Sequence, residues 1–176
     1  NRPGAEVNYA NITFGQDMNA TMVQAASAFC SVVNGGQYFR PTVVAGTVDA
    51  NGGLRSSAAS LLRRTISEQS SATMRGMLST ARAVLNQRMP DKDKPGYDVG
   101  GKTGTSETLI NGSYTMDETV ATYIGYGGAN RPEYVIMVRV AAPGKRKNLQ
   151  GNIHAAPIFT DISNWMIDYM KLAPKG

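Results

Sequence analysis

The sequence is poor in the residues that build redox and metal sites. It contains one cysteine, Cys30, and one histidine, His154. A single cysteine excludes an internal disulfide, which fits a cytosolic protein but also an exported bacterial domain large enough to fold without one. Cys30 lies in an apolar helical pattern, so we expect it to pack as a small hydrophobic residue rather than act as a nucleophile. We expect no metal and no cofactor.

Long apolar runs are also missing. No stretch approaches the roughly 18 apolar residues that indicate a membrane-spanning helix, and we expect no signal peptide within these residues. The chain begins with Asn1-Arg2-Pro3 and without methionine. We therefore expect it to be part of a longer protein.

The basic residues do not form a single stripe, although the net charge is +5 and the pI is about 9.4. Arg63 and Arg64 are adjacent, and residues 145–147 make one short basic run. The sequence has no nucleic-acid motif and no basic helix with interleaved aromatics, so we expect no nucleic-acid partner. A basic surface that faces an anionic wall or membrane explains the charge more simply.

The hydrophobic patterns predict an α+β domain with an antiparallel sheet covered by helices. Residues 1–20 look like a loop, and a helix then follows Thr21, which has capping-box spacing with Gln24. A second helix begins at Ser67 as its N-cap. Three strands follow, the last two at about residues 119–126 and 134–140, before a terminal helix that contains Pro157 in its first turn.

Apolar residues recur at helical spacing in both longer helices, which predicts the faces that enter the core. In the second helix these residues are Met74, Met77, Leu78, Ala81 and Leu85, and in the terminal helix they are Ile158, Ile162, Trp165, Met166 and Tyr169. The last strand, YVIMVRV, is apolar on both faces over most of its length. This pattern predicts a central strand with cover on both sides.

The stretch YDVGGKTGTSET, residues 97–108, places one lysine among glycines and hydroxyl residues. Gly100, Gly101 and Gly104 remove side chains around Lys102, which would let a substrate or another backbone lie close along the strand edge. Lys102 supplies a compact positive charge, and threonine hydroxyls can bind a carboxylate. These residues therefore predict a binding site for a peptide-like molecule that carries an anionic group. The alternative is an edge strand with a solvated lysine that prevents aggregation.

The segment VGGKTGTSE resembles the Lys-Thr-Gly box of penicillin-recognising serine enzymes. The stretch ITFGQDMNATMVQAASAFCSVVNGGQYFRPTVV is similar to the region upstream of that box in class B penicillin-binding proteins, where a Phe-Gly-Gln loop leads into a helix that ends in Asn-Gly-Gly. YIGYGGANRPEYVIMVRV resembles the paired strands after the box, and AAPIFTDISNWMIDYM resembles the closing helix. The resemblance covers nearly the whole chain, in order.

This resemblance implies a peptidoglycan D,D-transpeptidase anchored in the bacterial cell membrane and facing outward. In this family a serine attacks the D-Ala-D-Ala peptide bond, an amine of a neighbouring stem peptide resolves the acyl-enzyme, and β-lactams trap the serine. The implied fold is the penicillin-binding or serine β-lactamase-like transpeptidase fold. The implied partners are stem peptides, β-lactams, the N-terminal part of the same domain and other cell-wall synthesis membrane proteins.

The match to the motif implies catalytic roles for Lys102, Thr103 and Thr105. Lys102 would act as an electrostatic and hydrogen-bonding group, and the two threonines would bind the carboxylate of the substrate or β-lactam. The backbone N–H of Thr105 would form part of the oxyanion hole. The implied substrate-binding residues are Gly101, Lys102, Thr103, Gly104, Thr105 and Ser106.

The sequence departs from the family in one respect. The nucleophile lies in Ser-x-x-Lys and a second box reads Ser-x-Asn, but neither occurs among these 176 residues. We therefore expect residues 1–176 to be the C-terminal portion of a transpeptidase domain, with an incomplete sheet and no activity alone. Two alternatives stay open: a non-catalytic module that docks peptides or partners, and a serine β-lactamase or β-lactam sensor.

Overall fold

The computed structural model describes residues 5–13, 15, 18–110, 113–141 and 148–175. The basic run of residues 145–147 lies outside them. Along the described chain the elements are α1 (Ala5–Ile12), α2 (Met22–Val33), β1 (Gln37–Phe39), β2 (Gly46–Val48), β3 (Leu54–Ser56), β4 (Leu61–Arg64), α3 (Glu68–Arg88), β5 (Asp98–Ile110), β6 (Ser113–Gly128), β7 (Tyr134–Val140), a π-helical turn (Gly151–Ala155) and α4 (Ala156–Tyr169). No helix in these ranges is long and apolar enough to cross a membrane.

Both predicted helix starts are confirmed by their caps. The Thr21 hydroxyl accepts from the Gln24 N–H at 3.2 Å, and the Gln24 side chain accepts from the Thr21 N–H at 2.9 Å, which forms the capping box. Ser67 Oγ accepts from the Ser70 N–H at 3.0 Å. The prediction of a loop before α2 was wrong in part, because Ala5–Ile12 is helical.

The main sheet is antiparallel and has the order β5-β6-β7, so the prediction of a mixed helix and antiparallel-sheet fold is confirmed. β1 pairs with β4 and β2 pairs with β3 in two small separate sheets. β7 has the predicted bounds and contacts α4 and α2, but it is an edge strand of the described sheet. The prediction of a central position was therefore wrong within this chain.

Helices cover both faces of the main sheet, and the sheet separates the core into two clusters. On one face, Val33 of α2 and Leu78 of α3 pack with Tyr126 of β6. On the other face, Phe159 of α4 packs with Tyr123 of β6. The second half of α3 also reaches this second cluster. The strand β5, which carries Lys102, thus lies beside both clusters.

The terminal helix buries a different face from the predicted one. The predicted residues Ile158, Ile162, Trp165 and Tyr169 are exposed, with Trp165 at 57% and Tyr169 at 69%. The buried residues are instead Ala156, Phe159, Thr160, Ser163 and Ile167. Small residues let α4 approach the sheet closely, and the Thr160 hydroxyl satisfies its bonding by donating to the Ala156 carbonyl at 3.0 Å.

The predicted methionine stripe of α3 is also largely outside the core. Leu78 is 7% exposed, whereas Met77 is 60% exposed and Met74 is 39% exposed. In their place α3 buries Ser71 and Arg82. Two polar residues occupy the interior because each has partners there. Ser71 Oγ donates to the Val32 carbonyl at 2.6 Å, and the Arg82 guanidinium pairs with the Asp93 carboxylate.

Candidate functional site

Lys102 lies on β5, and this strand is an outer strand of the described sheet, as predicted. The side chain of Lys102 is exposed and bends along its own strand. Its Nζ donates to the Thr103 carbonyl at 2.9 Å and to Thr103 Oγ1 at 3.2 Å. The structure therefore brings together two of the three residues to which catalytic roles were assigned.

Thr105 and Ser106 are exposed further along the same strand. Thr105 Oγ1 accepts from the N–H of Gly151, the first residue of the π-helical turn, at 3.2 Å. Gly151 fits there because a Cβ would lie 2.6 Å from the carbonyl oxygen of Gly104. Thr105 is thus held against the turn that leads into α4.

The glycines before Lys102 make room for tyrosines of the neighbouring strand. A Cβ at Gly100 would lie 2.9 Å from Tyr126 Oη, and a Cβ at Gly101 would lie 2.7 Å from Tyr123 Oη. Tyr126 is 0% exposed and Tyr123 is 1% exposed. We predicted that these glycines admit a substrate or another backbone, but side chains of β6 occupy that space.

A cavity of about 620 Å³ opens beside this strand. Lys102, Thr103 and Tyr123 line one side, and the second half of α3, including Arg88, lines the other. None of the described residues that line it is acidic. The cavity therefore combines two cations with an apolar wall, which suits a ligand that carries an anionic group on an apolar body.

Burial changes the ionisation of the tyrosines beneath the strand. Desolvation raises the pKa of Tyr123, although the nearby charge of Arg82 opposes this. Desolvation also raises the pKa of Tyr126, and the Asp98 carboxylate adds to the effect. Tyr126 Oη donates to Asp98 Oδ2 at 3.3 Å. Because the pKa of each tyrosine is raised, both rings stay neutral near physiological pH.

The lone cysteine and histidine take no part in this site. Burial raises the pKa of the Cys30 thiol, which disfavours the reactive thiolate. His154 Nδ1 accepts from the Gln150 N–H at 3.0 Å within the π-helical segment. Among the described residues, no three His, Cys, Asp or Glu side chains cluster closely enough to hold a metal ion.

Sequence reasoning missed a buried network under the strand. Arg82 of α3 is 1% exposed and binds Asp93 of the connector, residues 89–97 between α3 and β5, through two hydrogen bonds, at 2.8 and 2.6 Å. The guanidinium also lies 5.3 Å from the centroid of the Tyr123 ring. No local spacing predicts this, because the two charged residues stand in segments that look solvent-exposed.

Comparison with protein families decides the relationship of the chain. A model of the penicillin-binding protein transpeptidase domain matches residues 2–164. The chain belongs to this transpeptidase family.

Curated members of the transpeptidase family match along almost the whole chain. Penicillin-binding protein PbpB of Mycobacterium tuberculosis is 28% identical over 169 residues, which cover 90% of this chain and 24% of that protein. Stage V sporulation protein D of Bacillus subtilis is 28% identical over 171 residues, which cover 96% of this chain and 26% of that protein. The chain thus spans about a quarter of the length of these relatives.

Solved structures of the transpeptidase family share the fold. Penicillin-binding protein 3 from Mycobacterium tuberculosis in its apo form gives a TM-score of 0.76 at 29% identity, covering 96% of this chain and 39% of the other. The same protein complexed with aztreonam gives 0.76 at 27% identity, with the same coverage. This similarity confirms the predicted fold class.

Proposed function

We propose that residues 1–176 form the C-terminal part of a transpeptidase domain and that the full-length protein is a peptidoglycan D,D-transpeptidase. A serine outside this chain would attack the D-Ala-D-Ala peptide bond, release the terminal D-alanine and form an acyl-serine. An amine of a neighbouring stem peptide would then attack the acyl carbonyl and free the serine. β-Lactams would acylate the same serine. Such an enzyme acts on the outer face of the bacterial cell membrane, beside other cell-wall synthesis proteins.

The observation that carries this proposal is the pairing of Lys102 with Thr103 at an outer strand beside a cavity. An ammonium group has three donors, and Thr103 takes two of them in the described structure. The third donor can reach a ligand. Thr103 Oγ1 accepts from Lys102, so its own hydrogen stays available to donate to a carboxylate. The same holds for Thr105, whose oxygen accepts from Gly151.

The charge of the cavity supports an anionic ligand. Arg88 and Lys102 line it, and no acidic residue is among its described lining. Stem peptides and β-lactams both carry a carboxylate attached to a less polar body. In this assignment the substrate contacts the side chains of Lys102, Thr103 and Thr105. The other substrate-binding residues of the strand are Gly101, Gly104 and Ser106. The backbone N–H of Thr105 would contribute to the oxyanion hole.

We further propose that the remainder of the same domain packs on the surfaces that this chain leaves uncovered. Three features support this. The outer edge of β7 is unpaired in the described sheet, although the strand has the apolar pattern of a central one. Ile162 and Trp165 of α4 are exposed, as is Met77 of α3. Exposed apolar faces of this extent mark interaction surfaces.

Acylation by a fluorescent penicillin tests the proposed function. In the full-length protein, Lys102→Ala should lower the second-order acylation rate by about 10²–10³-fold, the usual effect of removing one preorganised electrostatic contact. Thr105→Ala should lower it less, because its backbone N–H remains. Lys175→Ala removes an exposed lysine near the C-terminus and should leave the rate unchanged.

The melting temperatures of Lys102→Ala and Lys175→Ala should match that of the wild type, since both lysines are exposed. Thr105→Ala also loses the acceptor of the Gly151 N–H, so its rate is measured at a temperature where circular dichroism shows it folded. The 176-residue chain alone, which lacks Ser-x-x-Lys, should form no adduct. If the full-length wild-type protein forms none either, it is a docking module rather than an enzyme. If it hydrolyses β-lactams rapidly, it is a β-lactamase.

A further inference from the structure

Arg82 is a charged residue in the interior with an unusually complete set of partners. Nε donates to Asp93 Oδ2 at 2.8 Å, and Nη2 donates to Asp93 Oδ1 at 2.6 Å and to Thr160 Oγ1 at 2.7 Å. Burial acts to lower the pKa of the guanidinium, but the bonds and charge of Asp93 raise it overall, so Arg82 stays charged. The group thus joins α3, the connector after it and α4.

The guanidinium also contacts two aromatic rings that lie under the candidate site. Its central carbon is 5.3 Å from the centroid of Tyr123 and 5.1 Å from that of Phe159, and the two centroids are 4.6 Å apart. These distances fall in the range of cation–π attraction. Arg82 therefore packs against the Tyr123 ring together with Phe159.

Tyr123 transmits that position to β5. It is the cross-strand partner of Thr103, the residue that binds the Lys102 ammonium. Its hydroxyl end fills the space under Gly101, where a Cβ would come within 2.7 Å of Oη. Tyr123 Oη is buried and has no hydrogen-bond partner in the described structure. The hydroxyl is therefore held by packing, and the Arg82 guanidinium is part of that packing.

We propose that Arg82 is a positioning residue for the Lys102 strand and acts through the ring of Tyr123. The inference rests on the proposed function and adds a residue that touches neither substrate nor Lys102. β5 is hydrogen-bonded on one side only in the described sheet, to β6. Support from below therefore decides where Gly101 and Thr103 lie. A core ion pair with only a structural role would change stability without changing the site.

The test uses the full-length protein and two independent measurements. The first is the second-order acylation rate with fluorescent penicillin, at a temperature where circular dichroism shows every variant folded. The second is hydrogen exchange of the backbone amides in peptides that cover residues 98–106, read by mass spectrometry, which does not depend on activity. Ile167→Ala is the control, because Ile167 is 2% exposed but lies outside the cluster that contains Tyr123 and Phe159.

Arg82→Met should slow acylation by about 10–10²-fold, since displacing reacting groups by about 1 Å costs up to about 10²-fold. It should also speed exchange in residues 98–106 more than Ile167→Ala does. Arg82→Lys keeps the charge but loses the planar fork, and should give an intermediate rate. Tyr123→Leu removes the ring that Arg82 contacts and should follow Arg82→Met.

The outcomes separate this inference from the proposed function. If the wild type acylates and Arg82→Met is no slower than Ile167→Ala, positioning by Arg82 is overturned while the transpeptidase proposal stands. If the wild type does not acylate, the proposed function fails. Hydrogen exchange then still tests positioning, which is overturned if residues 98–106 exchange no faster in Arg82→Met than in Ile167→Ala. Should Arg82→Met not fold, Arg82→Lys and Tyr123→Leu carry the same comparison.

Discussion

Truncation of two aromatic residues on α4 tests which face of the helix belongs to the core. Phe159 is 0% exposed and packs 4.6 Å from Tyr123, whereas Trp165 is 57% exposed and stacks on Tyr169 at 4.7 Å. Periodicity alone predicts that Trp165→Ala prevents folding. The structure reverses this expectation, because the Trp165 ring keeps most of its surface in water.

The magnitudes differ enough to measure. A buried Phe→Ala change typically costs about 3–5 kcal/mol, a large part of a total stability of about 5–15 kcal/mol. Trp165→Ala should cost about 1 kcal/mol, chiefly the loss of an aromatic pair worth about 0.5–1.5 kcal/mol. In a domain of this size 1 kcal/mol shifts the melting temperature by about 2–4 °C. Phe159→Ala should therefore lower it several times more than Trp165→Ala.

The assay is urea unfolding of the 176-residue chain, monitored by far-ultraviolet circular dichroism. Tryptophan fluorescence cannot follow both variants, because Trp165 is the only tryptophan. Equal losses of unfolding free energy in the two variants would refute the assignment of the buried face. In the full-length protein, the cost of Trp165→Ala should rise if the remainder of the domain covers this face, so the same pair of variants also tests that proposal.

Two further predictions concern the strand and its tyrosines. Gly101→Ala should destabilise the chain, because its Cβ would meet a backbone oxygen of β6 and the side chain of Tyr123 at 2.7 Å. Gly76→Ala should instead stabilise α3 by about 0.5–1 kcal/mol, because nothing lies within 4 Å of its Cβ. Paired urea titrations check that the two changes in unfolding free energy have opposite signs. Burial raises the pKa of Tyr123, Tyr126 and Tyr134, so the folded state holds their protons more tightly than the unfolded state, and stability should fall as pH rises above about 10. A urea midpoint that stays constant through that range would contradict the burial of these hydroxyls.

Local signals in the sequence determined where α2 and α3 begin and which segments form the three strands of the main sheet, but they did not indicate α1 or the short strands β1, β3 and β4. The capping box of Thr21 and Gln24 and the N-cap at Ser67 satisfy backbone donors within a few residues, so neither needs a distant partner. The strand 134–140 follows from a run that is apolar over most of its length, and its bounds were correct. The order of short motifs around Lys102 was likewise sufficient to predict the family.

Tertiary structure alone decided which helix faces are buried and why the strand carries its glycines. An apolar stripe shows that a helix has a face to bury, but the rest of the chain selects the face. On α4 the polar Thr160 faces inward because Arg82, 78 residues earlier, donates to it. Gly101 is explained by Tyr123 on the neighbouring strand rather than by a ligand. Such choices depend on contacts between distant segments, and their energy comes from close packing and satisfied charges, which no local pattern encodes.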